Sequence, residues 1–127
     1  MKKILLKNKS IKDVALVAVN ISKLLLAGDT ILLKGSVGSG KTFFARNLIQ
    51  ERLKCQGQFE EVGSPTFNLV QIYDTLRPLI IHADLYRLSF SHELEELGLQ
   101  NYYKEAITLI EWPERLGEQR PSKFFEI

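Results

Sequence analysis

The sequence predicts an α/β domain in which a largely parallel sheet is flanked by helices. Three observations carry this reading. Apolar runs of strand length alternate with amphipathic runs of helical period. One run, Thr30-Ile31-Leu32-Leu33, is apolar without alternation, as befits a strand covered on both faces. Directly after it, the glycine-rich stretch GSVGSGKT leads into the next helical run. A length of 127 residues suits one domain over 1–127, with a single core.

Taken in order, residues 3–6 read as a short first strand. Ser10 reads as an N-cap, with Asp13 in the capping-box place. Over residues 11–26, Lys12, Asp13, Asn20 and Lys23 share one side of a helical wheel, and Val14, Ala18, Ile21 and Leu25 the other. Gly28 suits the C′ position that ends this helix. After the glycine stretch, Phe44, Ala45, Leu48, Ile49 and Leu53 lie opposite Arg46, Asn47, Gln50 and Glu51, which predicts a second helix. Residues 67–73 and Leu79-Ile80-Ile81 read as strands. Ser91 caps a short helix carrying Glu93, Glu95 and Glu96 near its N-terminus, and Gly98 stops it. Ile107-Thr108-Leu109-Ile110 is a further strand, Pro113 opens a helical turn, and Phe124-Phe125-Glu126-Ile127 begins a last strand.

Composition narrows the partners. Seventeen basic residues stand against 15 acidic ones, and no long block of like charge marks nucleic acid or a membrane as a direct partner. The single cysteine, Cys55, leaves no internal disulfide and fits a reducing compartment. The basic start is followed by only three apolar residues, Ile4-Leu5-Leu6, far short of the roughly 7–15 of a signal peptide. No run approaches the roughly 18 apolar residues of a membrane span. A soluble, cytoplasmic chain is expected.

Gly35, Ser36, Val37, Gly38, Ser39, Gly40, Lys41 and Thr42 match G-x-x-x-x-G-K-[ST] at every fixed position. The glycines let successive backbone N–H groups turn inward toward phosphate oxygens, and the positive end of the following helix adds to that field. Lys41 reaches the β- and γ-phosphates as a point charge, and the Thr42 hydroxyl binds magnesium. A chain of this length matches the pattern by accident on the order of a few times per thousand. The flanking buried strand and helix are the context the motif requires. A nucleoside triphosphate is therefore expected here, in a P-loop NTPase-like fold.

Such a loop needs a carboxylate from a neighbouring strand. Asp84 and Glu111 stand at the carboxyl ends of apolar runs, where α/β sheets place their ligands. Spacing alone does not divide the roles between them. Base choice is read as adenine, because Asn8-Lys9-Ser10-Ile11 lacks the aspartate and the position of a guanine-reading motif.

Four later stretches, SPTFNLV (64–70), HADLYRL (82–88), EELGL (95–99) and IEWPERL (110–116), follow the loop in an order and spacing that resemble the TsaE family, also called YjeE. The resemblance runs from the first helix to about Leu116. These are small bacterial P-loop ATPases needed to make threonylcarbamoyladenosine on tRNA. The resemblance implies that Lys41 and Thr42 bind ATP and magnesium, that Glu111 is the second magnesium-site residue, and that Asp84 is needed for hydrolysis. It implies that Ser64-Pro65-Thr66 behaves as a switch facing the γ-phosphate, with Thr66 at the nucleotide. It further implies action with a TsaD–TsaB pair, reset between rounds by ATP hydrolysis, with tRNA reached only through that complex. Expected nucleotide contacts therefore run from Gly35 through Phe43, with Asp84 and Lys41 acting in hydrolysis. Family loops usually read G-D-L-G-A-G-K-T-T, whereas Ser36 and Phe43 replace the aspartate and second threonine here, and Val14 stands where a threonine is common. The fold expected is one lacking closing edge strands that many members carry.

Other residues have plainer readings. Arg87 either stabilises transition-state charge or pairs with a nearby glutamate. Trp112 is read as packing. His82 and His92 are read as structural or solvated, Cys55 as inert, and Tyr102-Tyr103 as packing rather than an RNA-stacking pair. Two rival functions share the loop. A small-molecule kinase needs an acceptor segment and an Arg-rich lid, for which residues 54–111 leave little length. A nucleotide-binding scaffold without turnover is opposed only by Asp84 and Glu111.

Overall fold

A computed structural model describes residues 2–3, 10–35, 40–63, 70–86, 98–119, 121 and 125–126. Its elements are β1 (Lys2–Lys3), α1 (Ile11–Ser22), β2 (Thr30–Leu33), α2 (Lys41–Cys55), β3 (Val70–Tyr73), β4 (Ile80–Asp84), β5 (Ile107–Glu111) and β6 (Phe125–Glu126). Two 3₁₀ stretches flank β5: Leu99–Asn101, and Pro113–Gln119, which is kinked at the non-helical Gly117. The sheet order is β1-β6-β2-β5-β4-β3. The pairings β1–β6, β6–β2, β2–β5 and β5–β4 are parallel, and the edge pair β3–β4 is antiparallel. The expected largely parallel α/β sheet is present, with one reversed edge.

Side-chain alternation divides the core into two layers. Ile31, Leu33, Ile80, Ile107 and Leu109 face α1 and α2, where Ala18, Phe44, Ala45, Leu48, Ile49 and Leu53 pack on them. Leu32, Ile81, Ala83 and Ile110 point the other way and meet Leu85, Leu99 and Leu116. All four residues of β2 and all five of β5 are buried, which explains their unbroken apolar runs. The five apolar α2 positions read from periodicity are all buried.

Helix α1 starts as read, with Ser10 Oγ accepting from the Asp13 N–H at 3.2 Å. It ends earlier, at Ser22, and Gly28 does not terminate it. Arg52 of α2 donates to the carbonyls of Ser22 at 2.8 Å and Leu25 at 3.3 Å, giving the final turn its partners. The Asp29 carboxylate then accepts from the Leu26 N–H at 2.7 Å and closes a turn instead. Gly28 has φ +93°, donates its N–H to Ala106 O, and lies where a Cβ would come within 3.4 Å of Lys104 O. Its role is close approach to the segment entering β5.

Strand β4 runs three residues beyond Ile81, to Asp84. The polar residues His82 and Asp84 interrupt the apolar pattern that marks its start, which is why its end was not legible. Of the first expected strand (3–6), residues 4–6 lie outside the described residues, as do 67–69, Ser91 to Leu97, Phe124 and Ile127. Gly98 is left-handed, at φ +66°, and leads into the 3₁₀ turn. Tyr102 and Tyr103 pack against the second core layer, and burial pushes the Tyr103 hydroxyl up to about 12.

Candidate nucleotide and metal site

Three parallel strands end at the same edge of the sheet. In register, Leu33 of β2 lies beside Glu111 of β5, and Glu111 lies beside Asp84 of β4. The chain leaves β2 at Lys34 and Gly35 and returns at Gly40, a left-handed glycine with φ +98° at the start of α2. Gly40 offers the helix no side-chain cap, so the first-turn N–H donors are left to other acceptors. Lys41 and Thr42 occupy that first turn.

Two oxygens meet where α2 crosses β5. Thr42 Oγ1 donates to Glu111 Oε1 at 2.8 Å. The other carboxylate oxygen, Oε2, is 2.7 Å from His82 Nε2. Glu111 is 2% exposed and His82 is fully buried, so the contact between them is shielded from water, whereas the Thr42 contact is partly buried. Lys41 is also buried, and its Nζ donates to Gly35 O at 2.5 Å while lying 4.1 Å from the centroid of the Trp112 ring. Burial lowers the Lys41 pKa, against the raising influence of Glu111, Asp84 and Glu114.

Asp84 is half-buried beyond His82 on the same face of β4, and its Oδ1 accepts from the Tyr86 N–H at 3.1 Å. Burial raises its pKa; the Tyr86 N–H opposes the shift, and the Glu111 carboxylate adds to it. Trp112 takes a left-handed backbone, φ +59°, immediately after Glu111. That conformation costs a residue other than glycine on the order of 1–2 kcal/mol. It ends β5 abruptly and brings the indole over Lys41, with the Tyr86 ring 4.9 Å away by centroids.

The residues fit a magnesium–nucleotide ligand. Among the described residues no group of three or more His, Cys, Asp or Glu side chains forms a metal cage. Magnesium does not require one, since it takes one or two protein oxygens and fills its octahedron with phosphate and water. The 2.8 Å between Thr42 Oγ1 and Glu111 Oε1 fits neighbouring vertices of such an octahedron, about 2.9 Å apart for ligands at ~2.05 Å.

Of the expected site residues, Gly35, Gly40, Lys41, Thr42, Asp84 and Glu111 gather at this edge. Phe43 sits on the first turn of α2, half-buried, with its carbonyl accepting from Asn47 Nδ2 at 2.8 Å. Ser36, Val37, Gly38, Ser39 and the segment Ser64-Pro65-Thr66 lie outside the described residues, as do Arg87 and His92. Two side chains do more than pack. Trp112 packs against the second core layer, as expected, but also covers Lys41. His82 holds the candidate metal carboxylate; its position two residues before Asp84 was the available signal, because that spacing places both on one face of a strand.

Fold and site together define an α/β protein of the P-loop class. The crystal structure of Bacillus subtilis YdiB superposes with a TM-score of 0.69 at 23% identity, covering 90% of this chain and 67% of that one. The chain belongs to the TsaE family: the model for "Threonylcarbamoyl adenosine biosynthesis protein TsaE" matches residues 8–127. The tRNA threonylcarbamoyladenosine biosynthesis protein TsaE of Rickettsia bellii is 43% identical over 97 residues, which make up 76% of this chain and 65% of that protein. Its Treponema pallidum counterpart is 32% identical over 115 residues, covering 90% and 82%. Against the Rickettsia relatives the chain spans between 52% and 65% of their length. Among the described residues no helix is long and apolar enough to cross a membrane.

Proposed function

We propose that the chain is an ATPase that supports tRNA threonylcarbamoyladenosine modification by binding a TsaD–TsaB complex and resetting it through ATP hydrolysis. The observation that carries the chemistry is the Thr42 hydroxyl and the Glu111 carboxylate meeting at 2.8 Å at the start of α2, with the Lys41 ammonium in the preceding position. The choice of partner rests on family membership, and tRNA is reached through the complex.

The residues divide the work as follows. Lys41 leaves Gly35 O for the β- and γ-phosphates, where its charge offsets that of the transferring group. The first-turn N–H groups of α2 receive the phosphate oxygens. Thr42 Oγ1 and Glu111 would hold magnesium, which would supply charge neutralisation at the phosphates. Asp84, beside Glu111 at the strand edge, orients or deprotonates the attacking water. Its partly buried carboxylate is held ready by the Tyr86 N–H.

ATP turnover with magnesium, measured with and without a TsaD–TsaB pair, tests the proposal. Hydrolysis is slow alone and accelerated by the pair; phosphate transfer to a small nucleoside with no response to the pair contradicts it. Lys41→Ala and Glu111→Ala each lower turnover by roughly 100-fold or more, the scale of losing a preorganised charge at the phosphates. Normal rates in both variants overturn the site. Asp84→Ala keeps ATP affinity and loses hydrolysis.

A further inference from the structure

Glu111 has two oxygens, and they have different partners. Oε1 takes the Thr42 hydroxyl on the side where α2 begins, and Oε2 is gripped by His82 Nε2 from the neighbouring strand. His82 pairs in register with Leu109, so its imidazole reaches along the sheet face to the carboxylate two positions on. It is fully buried, and among the described residues its Nδ1 has no hydrogen-bond partner.

That orphaned nitrogen fixes the tautomer. With the proton on Nε2, the ring donates to an anionic oxygen and leaves only a buried lone pair at Nδ1. With the proton on Nδ1, a buried N–H lacks an acceptor while two lone pairs oppose each other across 2.7 Å. The ring therefore donates from Nε2 to Glu111. A glutamate has three side-chain torsions to restrain, and the His82 donor on Oε2 restrains them from the side opposite the Thr42 hydroxyl.

We propose that His82 is a positioning residue for the divalent-cation site: its Nε2–H pins Glu111 Oε2 so that Oε1 is presented, beside the Thr42 hydroxyl, to the cation that accompanies the nucleotide. The inference rests on the nucleotide-site reading above and adds to it the residue that orients the metal carboxylate. Loss of an outer partner of a metal ligand weakens metal affinity by roughly 10–100-fold.

Calorimetric titration of ADP, once in EDTA and once with Mn²⁺ as the cation, tests it without turnover. The ratio of the two affinities isolates what the metal contributes. In His82→Leu the EDTA affinity stays at the wild-type value and the Mn²⁺ gain falls roughly 10–100-fold. His82→Gln, whose amide nitrogen reaches about where Nε2 sits, retains most of the gain. His82→Asn, whose amide stops near the Nδ1 position, loses it as Leu does. If Leu fails to fold, the Gln–Asn pair carries the test alone. A wild-type Mn²⁺ gain in every variant, even with a lowered Tm, makes His82 a packing residue and overturns the proposal. No ADP binding to the wild type in either condition overturns instead the nucleotide-site reading beneath it.

Discussion

Asp84 ionises against its surroundings. Burial raises its pKa, so its carboxylate is less stable as an anion in the folded chain than in the unfolded one. The sign follows: the folded state is favoured below the ordinary aspartate range and loses that advantage as pH rises through the raised folded value. Asp84→Asn removes the penalty. In metal-free protein its Tm exceeds the wild type's at pH 7, and the difference closes as pH falls to about 3, below the usual aspartate pKa. A constant difference across that range contradicts the shift. The roles of Asp84 and Glu111 could not be divided from the sequence because both end apolar runs. Space separates them: Glu111 is buried and engaged at both oxygens, whereas Asp84 is half-buried and bonded to one backbone N–H. The sequence leaves His82 as either structural or solvated because a buried histidine and a solvated one look alike in a single sequence; the fold makes it the buried one.

At the scale of elements, the end of α1 depends on α2. The Arg52 guanidinium bridges the Ser22 and Leu25 carbonyls across the helix pair. Arg52→Met keeps the apolar stem and removes the donors, costing about 1–2 kcal/mol and several degrees of Tm. Nucleotide affinity is unchanged, because the contact lies toward the far end of α2 from Lys41. A wild-type Tm contradicts this view of the helix end. A similar long-range clasp holds the β3–β4 turn. Gln56 exchanges hydrogen bonds with the backbone of Arg77, and Gln58 does so with Thr75, through backbone and hydroxyl. Helix faces, strand interiors and the Ser10 cap were legible in the sequence because they depend on local periodicity and chemistry. The early stop of α1 was not, since its cause lies 30 residues away in Arg52.

Across the whole molecule, the strand order makes the site. Because β5 inserts between β2 and β4, Glu111 arrives beside the start of α2 although it lies 69 residues after Thr42 in the chain. The motif announces the candidate phosphate-binding half of the proposed site, and strand-end acids supply two candidates for the other half. No periodicity in the sequence gives strand order, so only the folded sheet pairs Glu111 with Leu33 and Asp84. The reversed β3 was hidden for the same reason.

The most direct measurement is a crystal structure of the full chain grown with a non-hydrolysable ATP analogue and magnesium. The β- and γ-phosphates are expected against Lys41 and the first turn of α2, with magnesium bound by Thr42 Oγ1 on the side of Glu111. An analogue bound elsewhere, or one whose triphosphate leaves Lys41 on Gly35 O, contradicts the central claim.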